Sequence, residues 1–226
     1  MRHDIPLAHG NTRRAAGAAL AVALLLALAG PATGEEHSKQ AGKAAKSCCT
    51  PSAADAAPQA QASYGRSVEE VTIPDLTLVR MDGRKVALRD ELAPDIPVMM
   101  NFIFTTCTTI CPVMSATFSQ VQEGLGEGRE RVRMVSISID PEQDTPSRLR
   151  DYARRHEAGP QWHFLTGGAE QIEAVQRAFA AYRGSKFNHA ALTFLRAPGD
   201  SHWVRIEGLV QAEAILTEYR KLEVAQ

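Results

Sequence analysis

Two cysteines four residues apart, Cys107 and Cys111, close an apolar run in Phe104-Thr-Thr-Cys107-Thr-Thr-Ile-Cys111-Pro112. At i and i+4, one helical turn or a tight loop places both sulfurs on the same side. A helix N-terminus behind them stabilises thiolates and lowers their pKa. Taken alone, the pair supports a plain disulfide, a redox couple or a metal site. The spacing is one residue longer than the Cys-x-x-Cys of a standard thioredoxin couple. A peroxidatic cysteine would want Pro as well as Thr ahead of it, and only Thr105 and Thr106 are present.

A third donor is available in Gly184-Ser-Lys-Phe-Asn-His189, a loop that leads into the apolar stretch Leu192-Thr-Phe-Leu195. Two thiolates and one imidazole make a three-ligand set whose soft sulfurs favour Cu(I), while the imidazole lets it also hold Cu(II). Structural zinc wants a fourth protein ligand and usually a shorter Cys spacing. Met114, one turn beyond Cys111, offers a weak thioether but sits among apolar helical positions and reads as core. Asp140 and Asp144 read as turn and capping residues, with a docking role at the site edge as the alternative. His156, His163 and His202 read as surface or satisfied core histidines.

The elements that must position these groups follow from periodicity. Pro97–Phe104 is almost continuously apolar, the pattern of a central strand buried on both faces. Pro112 suits a first helical turn, and Val113, Met114, Phe118, Val121 and Leu125 then recur at helical spacing up to a glycine cluster at 124, 126 and 128. Val132–Ile139 is the next strand, so strand, helix and strand form a right-handed parallel crossover. That crossover puts the Cys107/Cys111 loop and Asp140 at one sheet edge, where ligands usually bind. If strand 192–195 runs antiparallel to 97–104, the loop before it brings His189 to the same edge.

Around this centre, Leu76–Val79 and Lys85–Leu88 flank Met81-Asp82-Gly83 as an N-terminal β-hairpin, and residues 90–97 read as a loop. Thr145 and Pro146 are N-cap and N1 of a helix to about Glu157. Residues 162–165 form a strand, 169–182 a helix, 203–206 a hairpin partner for 192–195, and 211 to about 224 a closing amphipathic helix. The outcome is an α/β fold with a central sheet and helices on both faces.

The chain has 226 residues, 44% hydrophobic and 23% charged, which suits one globular domain plus non-globular extensions. Residues 1–34 read as a signal peptide: Arg13-Arg14 precedes an Ala/Leu/Val run and then small residues, with a retained membrane anchor as the alternative. Cleavage after Ala29 leaves 22 Lys+Arg against 25 Asp+Glu, a net charge of −3 that does not favour nucleic acid or an anionic membrane. Residues 35–65 read as a flexible linker, because from Glu35 to Ser63 no Leu, Ile, Val, Met or aromatic residue occurs. His37 and Cys48-Cys49 lie in it, a secondary metal-capture patch at most. Residues 66–226 are the folded domain. Export implies an oxidising compartment, and four cysteines are too few to build a fold of this size from disulfides.

Three segments together carry a family resemblance: Asn101-Phe-Ile-Phe-Thr-Thr-Cys107-Thr-Thr-Ile-Cys111-Pro112, then Ser138-Ile-Asp140-Pro-Glu-Gln-Asp144-Thr-Pro146, then Asn188-His189 before a strand. The chain resembles the SCO/SenC family over roughly residues 71–222. The resemblance implies a thioredoxin-like fold and a periplasmic, possibly inner-membrane-tethered copper metallochaperone, with Cys107, Cys111 and His189 as metal ligands. It also implies a partner in the copper-binding subunit of a cytochrome c oxidase or in another copper chaperone. In that reading the protein is not an enzyme. The alternative is a thiol-disulfide reductase that cycles Cys107/Cys111 to keep a partner's copper-ligand cysteines reduced. One departure stands out: many members have Asp immediately before the histidine, where this chain has Asn188 and so lacks a negative charge beside the imidazole.

Overall fold

A computed structural model describes residues 64–224. The segments read as signal peptide and linker, with Arg13-Arg14, His37 and Cys48-Cys49, lie outside the described residues apart from Tyr64 and Gly65. Chain order is β1 (Gly65–Glu70), β2 (Thr77–Arg80), β3 (Lys85–Ala87), α1 (Leu88–Leu92), β4 (Val98–Ile103), α2 (Ile110–Leu125), β5 (Arg133–Ser138), α3 (Pro146–Arg155), β6 (Trp162–Thr166), α4 (Ala169–Ala178), β7 (Leu192–Arg196), β8 (His202–Glu207) and α5 (Ala212–Val224). The strands form one mixed eight-stranded sheet ordered β1-β8-β7-β4-β5-β6-β2-β3. The core trio β4, β5 and β6 is parallel, and β7 lies antiparallel to β4. Among the described residues no helix is long and apolar enough to cross a membrane.

Every residue of β4 is buried, as its unbroken apolar run requires. Alternate residues of the strands face opposite sides. On one side Phe118 of α2 packs 5.6 Å from Trp162, and Tyr152 of α3 packs edge-on to Phe164. On the other, Phe179 just past α4 meets Phe102, Phe194 and Trp203 at ring separations of 6.1, 5.2 and 5.0 Å. The polar Asn101 within this core is met by the Ser136 hydroxyl, which donates to Oδ1 at 2.7 Å and accepts from the Trp162 indole N–H at 2.9 Å. That relay stitches β4, β5 and β6 together at their middle.

Three elements depart from the periodicity reading. The segment 90–97 read as a loop begins inside α1, whose Leu88 and Leu92 are wholly buried; five residues are too short for a helical repeat to show. Strand β1 was invisible because Gly-Arg-Ser-Val-Glu-Glu is mostly exposed and is held by its pairing with β8. Helix α4 stops at Ala178 instead of Tyr182. Ala180 adopts φ 47°, and the Ala181 N–H reaches back to the Gln176 carbonyl at 2.7 Å, which turns Phe179 into the aromatic cluster.

Candidate functional site

The buried strand β4 delivers the chain to the sheet edge at Phe104, and Ile139 N–H to Ile103 C=O, 2.8 Å, keeps β4 and β5 together up to that edge. A turn closed by Cys107 N–H to Phe104 C=O, 3.2 Å, then sets up α2. Helix α2 has Thr109 at its N-cap but no side-chain cap from it. The Cys107 sulfur takes that place, accepting the free first-turn N–H of Cys111 at 3.5 Å, with the Thr109 hydroxyl 3.6 Å away. Cys111 Sγ in turn accepts the Phe104 N–H at 3.4 Å. Both thiols are buried and free.

The antiparallel pairing of β7 with β4 brings the preceding loop to this edge, as the sequence reading required. His189 Nε2 lies 3.5 Å from Cys111 Sγ across 78 positions of sequence, and its ring packs edge-on to Phe104 at 5.4 Å. Among the described residues no three His, Cys, Asp or Glu side chains meet as a closed metal cage; the trio is joined pairwise, Cys107 to Cys111 and Cys111 to His189.

The two thiols are electrostatically unlike. Burial pushes both upward, but around Cys107 the backbone N–H groups of Cys111 and Thr109 and the Thr109 hydroxyl prevail and hold the thiol below its ordinary value. At Cys111 burial prevails: the Phe104 N–H offsets only part of it, and the neighbouring Cys107 adds repulsion, so the thiol lies far above the usual range. Burial lowers His189, partly countered by a hydrogen bond to the Lys186 backbone. The neutral imidazole is therefore favoured, which is the form that ligates metals.

Two acidic residues do more than the turn and capping roles read for them. Thr145 caps α3, accepting Arg148 N–H at 3.3 Å; Asp144 does not. Asp144 is fully buried and braces the cysteine loop instead, accepting the Thr105 N–H at 3.0 Å, the Thr105 hydroxyl at 2.5 Å and the Ser138 hydroxyl at 2.6 Å. Asp140 does form the turn, its carbonyl taking the Gln143 and Asp144 N–H groups. Its carboxylate also receives Lys186 Nζ at 2.5 Å, which ties the His189 loop to the end of β5. The bracing roles of Thr105, Ser138 and Lys186 were not read from sequence, although Ser138 and both acids share one short motif that could have flagged them.

The remaining candidates lie apart from the trio. Met114 is buried and lines a crevice with Phe118 and Ile215, so it packs. His156 ends α3 with its ring 4.6 Å from Tyr152, and exposed His202 bonds Asp200 at 2.8 Å. His163 bonds Glu91 Oε2 at 2.6 Å. Exposed Asn188 closes the short 3-10 turn Lys186–Asn188 just ahead of His189.

Comparison with known proteins bears on this arrangement. A family model described as SCO1/SenC matches residues 66–222. A SCO1 protein homolog of Bacillus subtilis is 36% identical over 112 residues, 49% of this chain and 56% of the relative. The chain thus spans about half the length of the curated relatives it matches. The structure of BsSco, described as a member of the Sco family of cytochrome c oxidase assembly proteins with a disulfide switch, aligns with TM-score 0.59 and 26% identity. That alignment covers 70% of this chain and 96% of BsSco. ScoI of Bradyrhizobium japonicum, solved with copper bound, aligns with TM-score 0.53 and 26% identity over 63% of this chain and 96% of its own.

Proposed function

We propose that this chain, which belongs to the SCO1/SenC family, is a copper-binding protein of cytochrome c oxidase assembly that carries one copper ion on Cys107, Cys111 and His189 and passes it to a partner. The observation that carries the reading is the contact of Cys111 Sγ with His189 Nε2 at 3.5 Å, made by two loops the sheet brings to one edge. The donor set fits copper: two soft sulfurs for Cu(I) and a neutral imidazole that extends the site to Cu(II). Three protein donors leave a position for an incoming thiolate, the step that ligand exchange needs. Cys111, kept protonated by burial, gives up its proton only when a cation compensates the charge, so loading releases protons and depends on pH.

Relatives described as copper-bound or as oxidase assembly factors support this reading. In it residues 1–34 are a signal peptide or, less simply, a membrane anchor, and residues 35–65 a tether. The protein then works in the periplasm, on the copper-binding subunit of an oxidase or on another copper chaperone.

The unlike surroundings of the two sulfurs suit a second activity at the same residues: Cys107 accepts the Cys111 N–H at the start of α2, while Cys111 is wholly buried. The split between a lowered Cys107 and a raised Cys111 is the arrangement of an attacking and a resolving thiol. Cys107 thiolate attacks a partner disulfide, forming a mixed disulfide and releasing one partner thiolate. Cys111 then displaces the second, leaving a Cys107–Cys111 disulfide as two electrons pass to the partner. His189 separates the readings, because thiol exchange does not need it.

Anaerobic Cu(I) titration of the reduced protein tests the proposal. Wild type binds one equivalent tightly, and Cys107→Ser/Cys111→Ser binds none at that site. Disulfide reduction without stoichiometric copper uptake would replace the copper reading with the reductase reading.

A further inference from the structure

A cleft of about 410 Å³ lies beside the thiol site and shares Asp144 with it. Its floor is a row across three strands: the register pairs Thr166 with Val79 and Val79 with Lys85, so the three side chains stand on one sheet face. One wall is the start of α3, through Pro141, Thr145 and Pro146; the other is the start of α4, through Gly167, Gly168 and Gln171.

The two helix starts differ. Helix α3 is capped by the Thr145 hydroxyl, and its N1 residue is Pro146, which has no N–H. Helix α4 has Gly168 at its N-cap, so no side-chain oxygen receives the N–H groups of its first turn; the Gln171 amide turns back to accept the Gly168 N–H at 2.8 Å. An independent observation lies on the floor between them. The Thr166 hydroxyl has no hydrogen-bond partner although the residue is only 5% exposed, an arrangement that costs free energy unless something else meets it. Lys85 adds a positive charge at the open side and enters no ion pair among the described residues.

Uncapped first-turn N–H groups at the positive end of a helix, a free hydroxyl and an ammonium converge on one chemistry. From them we infer that the cleft binds a small oxyanion, a phosphate or carboxylate group, held by the first turn of α4, the Thr166 hydroxyl and Lys85. Two acids limit the affinity. Asp144 borders the cleft, but its oxygens already take the Thr105 N–H and the Thr105 and Ser138 hydroxyls. Glu170 sits in the first turn of α4 and opposes a highly charged ligand. This inference stands independently of the metal reading.

The test is a titration of the isotope-labelled full chain, followed by amide NMR at constant ionic strength. Sodium phosphate and sodium acetate are the probes, with sodium chloride as control. Saturable shifts are expected at Thr166, Ala169, Glu170 and Gln171. Thr166→Val, which keeps the side chain's shape and removes the hydroxyl, weakens binding roughly tenfold, as does Lys85→Gln. The variants' own spectra report whether they fold. Tighter binding of phosphate names a phosphate ligand, and tighter acetate a carboxylate. Shifts that never saturate with either probe, or a folded Thr166→Val that binds as wild type does, overturn the inference.

Discussion

At its two edges the parallel core of the sheet holds a histidine against a partner that can carry negative charge, and the two sites are built to opposite ends. At the N-terminal edge, His163 meets Glu91 Oε2 at 2.6 Å, Arg133 meets the same oxygen at 3.0 Å and Arg80 approaches Oε1 at 3.9 Å. Burial would raise Glu91, but the hydrogen bond and charge of His163, with Arg133, hold it below its ordinary value. That cluster is closed: its acid is 4% exposed and surrounded by donors. At the C-terminal edge, His189 faces a thiol that burial keeps protonated, and the residue before the histidine is the uncharged Asn188. A cluster whose charges are all answered stabilises the fold and has nothing left to bind. One whose donors are buried and only pairwise linked keeps them for a ligand.

The contrast is breakable by substitution. Glu91→Ala leaves His163 and Arg133 without their buried counter-charge and costs about 3 kcal/mol, a fall in Tm of about 6–12 °C. Calorimetry or thermal CD measures it, and copper uptake stays unchanged. His189→Ala, which loses one half-buried ring contact with Phe104, costs only about 1 kcal/mol. If the two losses of stability were equal, the division into a structural and a functional edge would fail.

Asp144→Asn is next in size. An amide cannot accept on both sides as the carboxylate does for Thr105 and Ser138, so we expect a loss of about 2 kcal/mol. It also brings faster amide exchange at Thr105 and Cys107, confined to the cysteine loop. Uniform destabilisation with no local change in exchange would remove Asp144 from the site's scaffold.

Thiol reactivity tests the split inside the C-terminal edge. In Cys111→Ser the remaining Cys107 should react with iodoacetamide at neutral pH more than about tenfold faster than Cys111 does in Cys107→Ser. Equal rates would show that the Cys111 N–H and Thr109 do not favour the Cys107 thiolate.

The smallest effect is a pH dependence. Glu91 has a folded pKa below its unfolded value, so its contribution is fully present above about pH 5 and is lost as pH falls through the folded value. The stability gap between wild type and Glu91→Gln should therefore be widest near neutrality and close on acidification. A gap that widens as pH falls has the wrong sign and would exclude the charge-based account of that cluster.

How far these regions could be read from residues alone follows from their physics. The apolar run of β4, the parallel crossover and the Thr145–Pro146 helix start are local signals and stand as read. His189 was reachable only on a condition: β7 is apolar enough to be recognised as a strand, and the structure supplies the antiparallel direction that carries its preceding loop to the cysteines. Asp144 was legible only as a residue at the site edge and Lys186 not at all, since the Thr105–Asp144 and Lys186–Asp140 contacts span 39 and 46 residues that no periodicity encodes. Glu91 looked like a loop residue for the same reason: α1 is five residues long, and the partners of Glu91 arrive from β5 and β6. Strand β1 gives no apolar signal at all.

Whether the two cysteines and the distant histidine form one metal site is decided by absorption and electron paramagnetic resonance of the Cu(II)-loaded protein, comparing wild type with His189→Ala. Wild type is expected to show a Cu(II)–thiolate charge-transfer band with nitrogen hyperfine coupling, and His189→Ala to lose the coupling and the tight Cu(II) binding while still holding Cu(I) on its thiolates. A His189→Ala protein that binds Cu(II) with the affinity and spectrum of wild type would contradict the three-ligand site.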